Sequence, residues 1–187
     1  MALSHTGPAR SLSRRAFLGG CLSIGGVLAT SPLLAAISRN DHRTLAFRHT
    51  HTGEKQQITY WRDGAYQAES LEVLNHLFRD HRTGEVAGID TALLDLLYAL
   101  QLKVDVTGEY EIISAYRSPK TNTMLRSNSG GVAKRSLHMQ GRAIDVRLCG
   151  CDLAHLRKTA VSLKAGGVGF YPKSDFIHLD TGRVRYW

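Results

Sequence analysis

Cysteine is scarce in this chain. Of 187 residues three are cysteine, and only Cys149 and Cys151 lie beyond the apolar stretch near the N-terminus. A bridge across so short a Cys-Gly-Cys turn strains disulfide geometry, so free or weakly bridged thiols without a catalytic part are expected. Internal repeats and low-complexity segments are absent. Gly167 and Gly169 are not followed by the Lys-Ser/Thr of a phosphate-cradling loop, and they read as a helix stop. Acidic residues are the minority, 16 against 24 Lys and Arg, for a net charge of +8. Such a surface suits an anionic polymer. No recognised nucleic-acid motif accompanies the charge, and no nucleic-acid partner is expected.

The basic residues thin out early. Ser13-Arg14-Arg15-Ala16-Phe17-Leu18 precedes a stretch rich in Gly, Ala and Leu that runs to Ala36. A basic start, an apolar middle and small residues at Ala35-Ala36 make a signal peptide over 1–36, and the adjacent arginines make it the twin-arginine kind. The rival is a permanent anchor, but glycines and Pro32 interrupt the run, so cleavage is expected and no membrane span thereafter. Leu18-Gly19-Gly20-Cys21 lies too close to the arginines to be a lipidation site. The implied destination is the periplasm, and the Tat export machinery is the implied partner. Residues 37–43 read as a flexible mature N-terminus, and 44–187 as one domain with one core that is expected to be a monomer.

Within that domain, Thr44 to Thr50 and Gln56 to Trp61 read as a β-hairpin. His49 and His51 share one of its faces. They read as exposed histidines because no carboxylate or cysteine completes a ligand set. Leu71, Leu74, Leu77 and Phe78 recur at helical spacing over Ala68 to His81, and Asp90 is placed to cap a second helix through Leu102. Tyr110 to Ser114 is a strand, Pro119 to Arg126 a short helix, and Asp152 a cap for a helix to Ala165. Val168 to Tyr171 makes a further strand. The expected fold is α+β, an antiparallel sheet with flanking helices.

The chemistry gathers in two segments. In Ser136-Leu137-His138-Met139-Gln140-Gly141-Arg142-Ala143-Ile144-Asp145, the alternation after Arg142 predicts a strand with Ile144 and Val146 on the core side and Asp145 on the other. Phe176 to Asp180 alternates likewise, with Phe176, His178 and Asp180 sharing a face. If these strands are neighbours, His138, Asp145 and His178 converge. Two imidazoles and a carboxylate suit a zinc ion that keeps one position open for water, as hydrolytic sites require.

Ser-x-His-x-x-Gly-x-Ala-x-Asp resembles the motif of the zinc D-Ala-D-Ala carboxypeptidases and related murein peptidases, the M15 group that shares its fold with the hedgehog signalling domain. The resemblance implies that His138, Asp145 and His178 hold zinc. Ser114-Ala115-Tyr116-Arg117-Ser118 is similar to that group's Ser-Gly-Tyr-Arg-Ser segment, which implies that Arg117 contacts substrate and the developing oxyanion. Leu74–Asp80, Arg126–Ser136, Ala165–Pro172 and His178–Trp187 extend the likeness to the twin-arginine-exported murein endopeptidase K family of Gram-negative bacteria. What it implies is hydrolysis of an amide in peptidoglycan cross-links, in particular one joining two diaminopimelate residues. Two alternatives stand beside it: a carboxypeptidase that trims terminal D-Ala, and a non-catalytic zinc-containing module that binds murein.

The general base is the point of departure from the group. Better known members carry Glu three residues before the last zinc His, and here that position is Asp175. Aspartate is shorter, and strict alternation turns it towards the Ile177 face. Asp180 shares the His178 face and is the rival, either as the base or as a carboxylate that orients a ligand.

Overall fold

The computed structural model describes residues 41–128 and 130–187, together with 1, 2 and 37. The expected leader and its cleavage site lie outside the described residues. The elements run β1 (His42–His49), β2 (Lys55–Arg62), β3 (Ala65–Tyr66), α1 (Ala68–Leu77), α2 (Thr91–Val104), β4 (Tyr110–Ser114), α3 (Pro119–Asn128), β5 (Ala143–Leu148), α4 (Leu153–Leu163), β6 (Gly167–Tyr171), β7 (Phe176–Asp180) and β8 (Arg185–Tyr186). The fold is α+β.

All described strands join one sheet in the order β3-β2-β1-β4-β5-β7-β6-β8. The expectation of an antiparallel sheet needs correction at two places, because β1 pairs with β4 and β6 with β8 in parallel. A parallel neighbour requires a long crossover, and α1 and α2 fill the one between β1 and β4. One face of the sheet carries Phe47, Tyr110, Ile112, Ile144, Val146, Ile177 and Leu179, all buried, against the leucines of α2 and α4. Phe47 meets Phe78 edge to face at 5.0 Å, and the Tyr110 hydroxyl donates to the Leu97 carbonyl, tying β4 to α2.

Two local expectations change. The segment read as flexible to Arg43 already enters β1 at His42, because the Arg43 guanidinium donates to Asp95 at 2.6 Å and that carboxylate also accepts from Tyr60 and Tyr66. The hairpin histidines are not both exposed either. The inward alternation of Leu45 and Phe47 continues to His49, which is 1% exposed, while His51 lies out on the turn. His81, in the loop after α1, completes a group with ring centroids 5.5 Å from His49 and 4.1 Å from His51.

Helix α1 ends at Leu77, short of the predicted His81. Phe78 leaves helical geometry, and Asp80 turns inward to accept the backbone N–H of Ser118 and of Arg82, each at 2.9 Å. That contact fixes the segment carrying Arg117. Helices α2 and α4 begin where their caps predict: Asp90 accepts from the Ala92 N–H and Asp152 from the His155 N–H. Cys149 and Cys151 are free thiols. Among the described residues no helix is long and apolar enough to cross a membrane.

Candidate metal centre

The face of the sheet opposite the helices carries the site. β5 and β7 are antiparallel neighbours with Asp145 paired to His178, so the two side chains project side by side. On the other side of β5, a register shift between Ile112 and Ser114 brings Ser114 opposite Asp145. His138 arrives from a 3-10 turn, Leu137–Gln140, in which the Ser136 hydroxyl accepts the His138 N–H. Gly141 ends that turn at φ 64 in van der Waals contact with the loop before α2. A side chain there would meet the Gly88 carbonyl at 2.1 Å, so only glycine fits.

The ring nitrogens can be assigned from their partners. His138 Nδ1 lies 2.7 Å from the Ala115 carbonyl, which can only accept, so this nitrogen carries the proton and Nε2 presents a lone pair. His178 Nε2 donates to Asp180 Oδ2 at 3.0 Å, which leaves Nδ1 as the inward atom. His138 Nε2, His178 Nδ1 and Asp145 Oδ1 then lie 3.2, 3.4 and 2.8 Å from one another. Tetrahedral ligands on zinc, bonded at about 2.0–2.1 Å, stand about 3.3 Å apart. Three acceptor atoms therefore converge at the spacing of one cation, and His138, Asp145 and His178 are the group among the described residues whose donors already do so.

The electrostatics agree with this geometry. Burial opposes charge on His178, but hydrogen bonds to Asp145 and Asp180 outweigh it and push its pKa up to about 9. Burial also opposes charge on Asp145, and the two histidines hold its pKa well below the usual carboxylate range. Asp180 is held low in the same way, by His178, Arg185 and the backbone N–H groups of Gly167 and Gly182. The surroundings thus favour a positive charge among these donors.

Arg117 faces the cluster. Its guanidinium lies 3.6 Å from Asp145 Oδ2 and donates to Ser114 Oγ at 3.3 Å, and its Nε is buried without a partner among the described residues. Burial lowers its pKa while Asp145 raises it. Asp180 is fully buried, with its oxygens taken up by His178, Arg185 and two backbone N–H groups. Asp175 is exposed and ion-paired with Arg147 at 2.9 Å. Its φ of 53 breaks the alternation that would have put it on the Ile177 side, and it meets Arg147, which shares a face with Asp145. Asp175 does not line the cavity over the cluster.

That cavity encloses about 340 Å³ between the loop before His138 and a wall of Tyr171, Phe176, Arg185 and Trp187. Phe176 was legible from its shared face with His178. Arg185 and Trp187 were not, since no sequence period reveals that β8 returns beside β6. Three acceptor atoms with an arginine beside them could hold a divalent metal ion, the kind of centre that hydrolases use.

The chain belongs to the peptidoglycan L,D-endopeptidase MepK family, whose profile matches residues 37–187. It is 42% identical over 170 residues to the peptidoglycan L,D-endopeptidase MepK of Escherichia coli K12, covering 91% of this chain and 93% of that one. It is 40% identical over 172 residues to the probable peptidoglycan L,D-endopeptidase MepK of Haemophilus influenzae, covering 89% and 92%. No solved structure matches it significantly.

Proposed function

We propose that this protein is a zinc-dependent murein endopeptidase that hydrolyses the L,D cross-link between peptidoglycan stem peptides, the bond joining two diaminopimelate residues. The observation that carries the reading is the convergence of three acceptor atoms, His138 Nε2, His178 Nδ1 and Asp145 Oδ1, beside the Arg117 guanidinium. Membership of the MepK family supports the choice of substrate.

His138, Asp145 and His178 would hold the zinc, which would supply Lewis acidity and lower the pKa of a bound water towards ~7. The chain's own residues do the remainder. The Ala115 carbonyl and Asp180 hold the two imidazoles in the tautomers that present their lone pairs inward, so Asp180 is a positioning residue. Arg117, which lines the cavity beside Asp145, donates to the carbonyl oxygen of the scissile amide as negative charge grows there. Asp175, paired with Arg147 outside the cavity, is assigned as the base: released from Arg147 and turned towards the cluster, it would accept the proton of the attacking water and return it to the leaving amine. Arg117 and Arg135 also suit the free carboxylates of the stem peptides. Export by the twin-arginine route to the periplasm, where that substrate lies, and action as a monomer complete the reading.

Digestion of defined muropeptides tests it. An L,D-linked dimer incubated with zinc-loaded protein should split into its two monomers, identified by mass. Release of terminal D-Ala alone would establish the carboxypeptidase instead, and tight binding without cleavage the non-catalytic module.

A further inference from the structure

The wall of the cavity holds a group that the mechanism above does not use. Trp187 lies over the zinc-ligand candidate His178, ring centroids 5.3 Å apart, and its indole Nε1 donates to the Tyr171 hydroxyl at 2.8 Å. The seat for this indole is built into the sheet. Gly169 pairs with His178 across β6 and β7, and a Cβ at Gly169 would meet the indole at 2.8 Å. Main-chain hydrogen bonds on both sides, Phe170 N–H to the Trp187 carbonyl and Trp187 N–H to the Val168 carbonyl, fix the residue in register. The Arg185 guanidinium packs on the indole at 5.0 Å, and Tyr171 stacks on Phe176 at 4.7 Å and 19°.

These contacts leave Tyr171 with one unused capacity. A phenol has one hydrogen to donate. Its oxygen accepts from Trp187, and no described residue accepts its hydrogen, although the ring is clamped on one side by Phe176. Tyr171 lines the same cavity as Arg117, His138 and Asp145. Tyr171 is 38% exposed at the rim of this cavity, so its O–H faces solvent in the free protein and is open to an acceptor of a bound peptide.

We propose that Tyr171 is a substrate-binding residue that donates its hydroxyl hydrogen to an acceptor oxygen, carbonyl or carboxylate, of the peptide in the cavity, and that Trp187 is the positioning residue that aims it. The proposal rests on the peptidase reading above. It makes the pair a unit, because Trp187 contributes through the oxygen of Tyr171.

A double-mutant cycle on the zinc-loaded full chain, cutting an L,D-linked muropeptide dimer, tests it. Tyr171→Phe keeps the stack on Phe176 and should lower kcat/KM about tenfold, as for loss of one hydrogen bond to substrate, with zinc content and melting temperature unchanged. Trp187→Phe keeps an aromatic ring over His178 and should lower kcat/KM severalfold. The double variant should be no worse than Tyr171→Phe alone, because Trp187 acts through the missing hydroxyl. Unchanged kcat/KM in Tyr171→Phe, or losses that multiply in the double variant, would overturn the proposal. Failure of the unaltered protein to cut the dimer would instead refute the underlying peptidase reading.

Discussion

Asp180 and Asp175 show how two residues of one type, five positions apart, take different work from their surroundings. Asp180 is sealed in and spends its oxygens on His178, Arg185 and the backbone of Gly167 and Gly182. It has no reach to a water. Asp180→Asn should therefore act through ligand orientation, lowering zinc affinity about tenfold or more in a metal-competition titration. Asp175 is exposed and held by one ion pair, so Asp175→Asn should keep zinc and fold while kcat falls about 10²-fold or more. Full activity of Asp175→Asn with a zinc-replete but inactive Asp180→Asn would exchange the two roles. The sequence named Asp175 as the base with Asp180 as its rival, but strict alternation pointed Asp175 the wrong way, because the left-handed backbone there belongs to the turn before β7.

At the scale of elements, the strands and helices that bury a regular apolar stripe were legible almost to the residue. β4 and the caps of α2 and α4 are examples, since periodicity and capping act within a few neighbours. The triad His138, Asp145 and His178 was legible for a related reason: each strand announces its two faces, and only their adjacency had to be supposed. What stayed hidden depends on partners distant in sequence. The hydrogen bonds of Asp80 to the Ser118 segment end α1 early, the Asp95 cluster draws Arg43 into β1, and β8 folds back beside β6 to place Trp187 on the site. Gly169→Ala tests that last packing directly. The added methyl must displace the indole, so near-ultraviolet circular dichroism should lose tryptophan signal; an unchanged spectrum would mean the indole is not seated there.

At the scale of the whole molecule, acid should unfold the protein partly through the histidine group at the end of β1. Burial, then the neighbouring His51, lowers His49 from 6.5 to about 4; burial, then Arg82, lowers His81 to about 4. A histidine depressed in the folded state contributes stability that is fully present above 6.5 and is lost as pH falls from 6.5 towards 4, because the unfolded chain binds the proton first. Denaturant midpoints should therefore fall over that window, and His81→Gln should flatten the slope. A parallel slope in His81→Gln would remove the group from the account. The other whole-molecule expectation concerns the leader: Arg14→Lys with Arg15→Lys should strand the precursor in the cytoplasm, since the signal is read by a receptor and not as charge. Periplasmic accumulation of that double variant, measured by fractionation, would contradict it.

The central claim is that three convergent acceptor atoms hold one catalytic zinc, and its most direct test is metal analysis of folded His178→Ala beside the unaltered protein. A three-ligand site has no spare donor, so the account predicts one zinc fewer per chain, together with loss of muropeptide cleavage. Equal zinc in the two proteins, with the variant folded by circular dichroism, would contradict it.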